Sequence, residues 1–266
     1  MNSYEHQQLV AIEEWKKKEP SVVTQSLSKI LSPIAWGVNR IIPQKAIEGA
    51  LTASNGLAEW ITDEDDILRD AKVRSISELQ TKNLRLSDQL ANEVHNWALA
   101  LLGAEGGATG WMGLPGMAVD IPMVVTLALR TIHKIGLCYG FKAQTEQDKL
   151  FVYTIMSAAG ANTLKEKTAS LLVLKQLNVI IMKQTWKKMA EKAAANKVSQ
   201  EALITAIRQL AARLGINLTK RKALQAIPIV GAGVGAAMNV SFINDISWAA
   251  RRCFQELWLK ENGQTE

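Results

Sequence analysis

The stretch WALALLGAEGGATGWMGLPGMAVDIP, residues 97–122, decides the fold class of this chain. Four glycines recur in it at intervals of three, four and three residues, which is one face of an α-helix: Gly103, Gly106, Gly110 and Gly113. Each glycine costs roughly 1 kcal/mol relative to alanine in a helix interior. A glycine face is therefore expected where the backbone of a second helix approaches closely. The stretch predicts a tightly packed helical hairpin.

A second stretch of the same kind, AIPIVGAGVGAAMNVSFIND, occupies residues 226–245. Three positions of the first stretch have a counterpart 125 residues later: Gly106, Gly110 and Asp120 correspond to Gly231, Gly235 and Asp245. Few other positions agree, so an internal duplication stays an open alternative. The two stretches together predict an all-α protein, a single helical domain built around two glycine-rich apolar helical hairpins.

The rest of the chain also carries helix signals, and the two-residue alternation typical of strands is nearly absent. We predict a first helix at 4–18, ended by Pro20. Ser87 and Asp88 are expected to cap a helix that reaches Leu102. Further helices are predicted from Thr145 to Ala159, with Gly160 as the stop, and from residue 162 to about residue 195.

The same signals divide the chain into an N-terminal helical region at 1–40, a helical domain at 41–256 and a polar tail at 257–266. The N-terminus lacks the apolar run of a secretory signal, so we expect a cytoplasmic protein, peripheral at most to the inner face of the cell membrane. A membrane span at 97–119 is long enough, but Glu105 inside it is costly to bury in lipid. A hairpin inside a soluble core is the preferred interpretation, and shallow insertion is the alternative.

Composition fits a globular protein with a sizeable core. The chain has 266 residues, of which 48% are hydrophobic, and its mean hydropathy of +0.01 is well below that of a polytopic membrane protein. Cys138 and Cys253 are far apart and match neither a disulfide framework nor a zinc motif. The three histidines are equally scattered. No metal and no cofactor is therefore predicted.

Positive charge is concentrated in one region. Residues 165–222 carry 13 basic and 3 acidic side chains. Such a segment is expected to meet an anionic surface, with lipid head groups or a membrane-protein partner preferred. Nucleic acid is unlikely, because Trp186 alone supplies an aromatic ring for base stacking there. The candidate residues are Lys183, Lys187, Lys188, Lys192, Arg208, Arg213, Lys220, Arg221 and Lys222.

Polar residues beside the two apolar stretches are the candidates for catalysis: Glu105, Asp120, Arg130 and Asp245. A buried cluster of such groups sometimes marks an active site, here of a hydrolase. The structural alternative is stronger, since Asp120 followed by Ile121 and Pro122 has the pattern of a helix N-cap with proline in the first turn. No nucleophile elbow or phosphate-binding loop accompanies these residues.

These motifs resemble those of the EcsC protein family over about residues 40–250. The resemblance rests on two blocks, GGATG at 106–110 with GLPG, DIP, LR and YG after it, and IPIVGA at 227–232 with three single residues after it. The residues of both blocks, with Gly103 of the glycine face, form the predicted structural motif: Gly103, Gly106, Gly107, Thr109, Gly110, Gly113, Pro115, Gly116, Asp120, Pro122, Pro228, Gly231, Gly235, Asn239 and Asp245.

The resemblance implies an all-helical bacterial protein in a membrane context, because the family is named after a gene beside an ABC transporter operon. It implies no reaction, because the biochemical activity of the family is not established. We therefore expect a non-enzymatic protein at the cytoplasmic membrane face, an accessory to an ABC transporter or a secretion process. The alternatives are the small buried enzyme site and a soluble scaffold that binds proteins through its tryptophans.

Overall fold

The computed structural model describes residues 1–20, 64–109, 113–144, 146–161, 163–190, 205, 209 and 231–264, with side chains except at 102–123, 146–147, 179–190 and 231–238. The elements are α1 Ser3–Lys17, α2 Asp65–Ala71, a 3₁₀ helix Ile76–Gln80, α3 Leu84–Thr109, α4 Gly113–Cys138, α5 Glu146–Ala159, α6 Leu164–Ala190 and α7 Gly231–Glu261. None of the described residues forms a strand. The predicted all-α class is confirmed.

Helix α7 is the centre of the packing. It contacts α1, α3, α4 and α5, while α3 packs against α4 and α5 against α6. The reason is a continuous apolar stripe along α7, whose members recur every three or four residues and are buried: Phe242, Ile243, Ile246, Ala249, Ala250, Cys253, Phe254, Leu257 and Trp258. Full burial of each large side chain contributes about 1.5–3 kcal/mol. The stripe therefore organises the core.

Helices α4 and α7 approach closely at Gly136. A Cβ atom at this position would lie 2.7 Å from the ring carbon Cζ of Phe254. The same ring stacks on Phe141 at 5.8 Å and meets the edge of Phe151 at 5.5 Å between ring centroids. Gly136 therefore makes room for an aromatic cluster that joins α4, α5 and α7.

Gly140 ends α4 with a left-handed turn. Its φ is +87°, and the Phe141 amide donates to the Gly136 carbonyl oxygen at 2.9 Å, as in a Schellman motif. A Cβ atom at Gly140 would lie 2.5 Å from the Gln80 backbone nitrogen. The Gln80 side-chain amide donates to the Gly140 carbonyl oxygen at 2.9 Å. The turn thus requires glycine and fixes α4 against the 3₁₀ helix.

The two ends of the described chain pack together. Helix α1 begins with a capping box between Asn2 and Glu5 and agrees with the predicted first helix. It buries Ile12 completely and packs against α7. Helix α7 continues to Glu261 and buries Leu257, Trp258 and Leu259, so the tail boundary predicted at residue 257 falls inside this helix. Helix α5 also agrees with its predicted bounds.

The predicted N-cap at Ser87 and Asp88 is wrong. Helix α3 begins one turn earlier, at Leu84, and the Arg85 amide donates to the side-chain oxygen of Asn83 at 2.8 Å. Asn83 is thus the capping residue, and Ser87 and Asp88 lie on the buried face of the helix. Leu84 is apolar and buried in the core, which favours a helix that starts at this residue.

The N-cap predicted at Asp120 is also wrong. Helix α4 begins at Gly113, so Asp120 and Pro122 lie inside it. Pro115 takes the first-turn position, where the missing amide proton costs no hydrogen bond.

The four glycines of the first stretch do not share one helix. Gly103 and Gly106 belong to α3, and Gly113 opens α4. Gly110 lies outside the described residues, as does Pro228. Helices α3 and α4 do pack against each other. The glycine contact between them stays a prediction, because the side chains at 102–123 are not described.

The second stretch enters α7, which is one continuous helix from Gly231. Whether it forms a hairpin with the residues before it lies outside the described part of the chain. None of the helices in the described ranges combines the length and the hydrophobicity that a membrane crossing needs.

Candidate functional site

A buried carboxylate on α3 ties the ends of the fold together. Asp88 is 5% exposed and accepts three hydrogen bonds. The donors are the hydroxyl of Tyr4 at 2.6 Å, the hydroxyl of Tyr139 at 2.5 Å and the amide of Gln255 at 2.6 Å. These residues belong to α1, the end of α4 and α7. Because its three donors come from other parts of the chain, the Asp88 carboxylate joins α3 to α1, to the end of α4 and to α7.

Burial and the neighbouring carboxylate change the tyrosines. Burial raises the pKa of Tyr139 well above its ordinary value, and the charge of Asp88 adds to that rise. The pKa of Tyr4 is raised by the same two causes. Both hydroxyls therefore stay protonated and remain donors at all physiological pH values.

A cleft of about 530 Å³ opens at the C-terminal end of α1, bordered by α5, α6 and α7. Its size is within the range of small-molecule sites, about 300–1,000 Å³. Two indole rings, Trp15 and Trp248, line it. Its charged lining residues are balanced, with three of each sign: Lys18, Lys167 and Arg252, and Glu14, Glu19 and Asp245. We call this space the α1 cleft.

Lys167 reaches the α1 cleft from α6. It is 5% exposed, and its ammonium donates to the backbone carbonyl oxygens of Trp15 and, at 2.9 Å, of Lys18. The same Nζ lies 4.3 Å from the centroid of the Trp15 ring. A cation on the last carbonyls of a helix stabilises its C-terminus. Lys167 therefore holds the end of α1 against α6.

Burial lowers the pKa of Lys167 to about 8, and the negative charge of Asp245 opposes this shift. Two of the three ammonium donors are used by carbonyl oxygens, which leaves one. A lysine whose pKa lies near neutrality can exchange a proton with a bound ligand. Lys167 is thus a lining residue of the α1 cleft whose charge can change near neutral pH.

Trp248 forms the rim of the α1 cleft and is 37% exposed. The guanidinium carbons of Arg251 and Arg252 lie 4.5 Å and 5.1 Å from its ring centroid. The His95 ring meets it edge-on at 5.6 Å. Burial lowers the pKa of His95, whose Nε2 lies 3.1 Å from the side-chain oxygen of Asn244. At the rim, the Trp248 indole is therefore in contact with two guanidinium groups and one imidazole ring.

The structure describes the side chains of two of the four candidates for catalysis, Asp245 and Arg130. Asp245 is half-buried and lines the α1 cleft, whereas Arg130 is exposed on α4 and is not part of that lining. The side chains of Glu105 and Asp120 lie outside the described residues. His133 and Asn239 are buried on α4 and α7. No group of three metal-binding side chains occurs in the described ranges.

Most of the predicted basic surface lies outside the described side chains. Lys183, Lys187 and Lys188 belong to α6, but their side chains are not described. The remaining candidates fall between residues 191 and 230, where only residues 205 and 209 are described: Lys192, Arg208, Arg213, Lys220, Arg221 and Lys222. The basic surface stays a prediction.

Sequence analysis missed Asp88 and Lys167 as polar residues of the interior. A signal for both exists in the helical register. Lys167 stands on the same stripe as Ser170, Leu174 and Leu177, at intervals of three, four and three, and all four are buried. A charged residue on an apolar stripe must find a partner inside the protein. No comparable pattern in the sequence predicts that Trp15 and Trp248 line one cleft.

Comparison with known proteins gives a family and one relative. The model of the EcsC protein family matches residues 6–259. The chain is 23% identical over 256 residues to the uncharacterized protein YdbA of Bacillus subtilis (strain 168), an alignment that covers 91% of this chain and 88% of that protein. No solved structure matches the chain.

Proposed function

The chain belongs to the EcsC protein family, and from that premise we propose that it is a non-enzymatic helical protein that docks on the cytoplasmic membrane face, as an accessory to an ABC transporter or a secretion process. The single observation that carries the proposal is an exposed apolar patch on α6. Leu172 is 61% exposed and Val173 is 42% exposed. Large exposed apolar residues side by side are typical of interaction surfaces.

The patch has the composition of a surface that meets lipid. Ala169 is exposed one turn before Val173, and exposed Lys165 and Lys175 flank the patch along the helix. Apolar residues between lysines on one helix suit the boundary between acyl chains and anionic head groups. We call residues 165, 169, 172, 173 and 175 the α6 patch.

The sequence beyond the patch supports the same surface. From Val173, the helical register of α6 continues to Ile180, Lys183 and Lys187. Basic residues outnumber acidic ones by 13 to 3 over residues 165–222. Each lysine or arginine near an anionic membrane contributes about 1 kcal/mol of attraction. Several such residues next to an apolar patch are enough for reversible docking.

The enzyme alternative, a hydrolase using Asp120, Arg130 and Asp245, gains little support. Asp245 lines the α1 cleft, but exposed Arg130 is absent from that lining. Lys167 is the cleft group suited to proton transfer, yet it is engaged as a helix cap. The scaffold alternative rests on Trp97 and Trp248, which are 44% and 37% exposed. Crosslinking in cells separates docking on lipid from docking on a protein.

Vesicle flotation tests the proposal. The purified chain should float with vesicles that contain anionic phospholipid at low salt and less at high salt. Val173→Asp, which places a charge in the α6 patch, should reduce the floating fraction severalfold. Val10→Asp is the matched control, because Val10 is 46% exposed on α1. Equal flotation of the two variants, or no flotation of the wild type, would remove the support for membrane docking.

A further inference from the structure

A second cavity, about 390 Å³, runs along α6 and is separate from the α1 cleft. Seven residues of α6 line it, and four of these recur at intervals of three or four, so that they form one stripe: Leu164, Thr168, Leu171 and Lys175. Phe151 of α5 and Cys253 of α7 contribute to the lining as well. We call this space the α6 groove. Its wall is predominantly apolar, and its volume suits one extended hydrocarbon chain.

Three of the four charged residues that line the α6 groove are cationic. Lys16, Lys17 and Lys175 line it together with one carboxylate, Glu256. Glu256 is already neutralised, because it pairs with Lys16 at 3.0 Å and with Lys260 at 3.1 Å. Within the described part of the chain, no carboxylate pairs with Lys17 or Lys175. These two ammonium groups are therefore available to an anionic ligand.

An unsatisfied polar atom inside the α6 groove also points to a ligand. Asn178 lines the groove, is 4% exposed, and its side-chain oxygen has no hydrogen-bond partner among the described residues. It follows Lys175 by three residues, so the two lie side by side on α6. This oxygen is an acceptor, so leaving it buried and unsatisfied is unfavourable, and a water molecule held beside a ligand near Lys175 would donate to it and remove that cost.

We propose that the α6 groove binds one long-chain fatty acid, with the hydrocarbon chain along the apolar stripe of α6 and the carboxylate between Lys17 and Lys175. A single chain is the occupant because the groove has room for one chain and a head-group position with two cations. A water molecule between them can donate one hydrogen to the ligand carboxylate and the other to the Asn178 side-chain oxygen. Recognition thus needs an apolar tail and one negative charge. An uncharged ester has the tail but lacks the charge.

This inference goes beyond membrane docking. The α6 groove shares Leu172 and Lys175 with the α6 patch, so its test is made without a bilayer. The test is a titration of the purified full chain with the fluorescent fatty acid cis-parinarate in vesicle-free buffer. Saturable binding that oleate displaces is expected. Methyl oleate should compete about tenfold less well, since it lacks the negative charge that the two cations attract.

Two sets of variants locate the site. Lys17→Ala combined with Lys175→Ala should weaken probe binding about tenfold, whereas Lys82→Ala, an exposed lysine away from the groove, should not. Thr168→Trp should block the groove without disturbing the core, because Thr168 is exposed. Wild-type affinity in the double lysine variant, or no saturable binding by the wild type, overturns the proposal.

The two proposals fail separately. Val173 does not line the α6 groove, so Val173→Asp should lose vesicle flotation and keep cis-parinarate binding. Thr168→Trp should lose cis-parinarate binding and keep flotation. If Thr168→Trp binds the probe as the wild type does, the groove is not the binding site, whatever the flotation result.

Discussion

At the scale of single residues, buried polar groups decide how the helices are joined. Asp88 accepts from Tyr4, Tyr139 and Gln255 and thereby links α1, α3, α4 and α7. The three interactions differ in exposure, since Tyr139 is completely buried and Tyr4 is half-buried. Water can replace a lost hydroxyl at the half-buried position more easily than at the buried one.

Tyr139→Phe should therefore lower the free energy of unfolding by about 2 kcal/mol, the usual magnitude for a buried hydrogen bond to a charged group. Tyr4→Phe removes the equivalent hydroxyl at a wetter position and should lower it by less. Urea denaturation of both variants measures the difference. Equal stability of Tyr139→Phe and the wild type would show that Asp88 is not a structural tie.

His95 makes stability depend on pH. Burial lowers its pKa below the ordinary value of 6.5, so between the two pKa values the unfolded chain binds more protons than the folded one. Stability therefore falls as the pH drops below about 6.5. His95→Gln keeps an amide that can face Asn244 and should flatten this part of the stability curve. The free energy of unfolding of the wild type and of His95→Gln, measured from pH 7 to pH 5, tests this prediction. Identical slopes against pH for the two proteins would contradict it.

At the scale of the element, helix content and the bounds of α1 and α5 follow from the sequence, whereas α3 continues past its predicted end at Leu102 to Thr109. The bounds of α1 and α5 agree with their caps because each has one strong start signal and one stop signal. The starts of α3 and α4 do not, because Asp88 and Asp120 each follow an earlier competing start. Burial of Leu84 favours the earlier start of α3, and the tolerance of a first turn for Pro115 favours the earlier start of α4.

Gly140, at the end of α4, leaves no room for a side chain. Gly140→Ala forces a side chain into a left-handed conformation and brings its Cβ within 2.5 Å of the Gln80 backbone nitrogen. Gly263→Ala is the matched control, since Gly263 also has a positive φ but a Cβ there would extend into open space. Gly140→Ala should be destabilising by several kcal/mol and Gly263→Ala by about 1 kcal/mol. Similar melting temperatures of the two would contradict the packing role of Gly140.

At the scale of the whole molecule, the N-terminal helix completes both cavities. Helix α1 contributes Trp15 to the α1 cleft and Lys16 and Lys17 to the α6 groove. Neither cavity could be predicted from the sequence, because each joins residues from opposite ends of the chain. Asp245 could be chosen as a candidate from the sequence because it lies beside an apolar stretch. Lys167 can be recognised as a buried residue only from the helical register of α6.

Lys167 should control how firmly α1 is held. Lys167→Ala removes the donor to the carbonyl oxygens of Trp15 and Lys18, so the last turn of α1 should open more often. Hydrogen exchange in peptides of residues 9–18 should become faster, while exchange in α3 and α4 stays unchanged. Unchanged exchange in α1, or uniform acceleration across the chain, would contradict a local clamp.

Membrane docking through the α6 patch is tested most directly by a fluorophore placed on it. The native thiols Cys138 and Cys253 are buried, so an environment-sensitive dye can be attached to Val173→Cys or, as the control, to Val10→Cys. With vesicles of anionic phospholipid, we expect a blue shift of the dye at position 173 and none at position 10. No shift at position 173, or equal shifts at both positions, would contradict docking through α6.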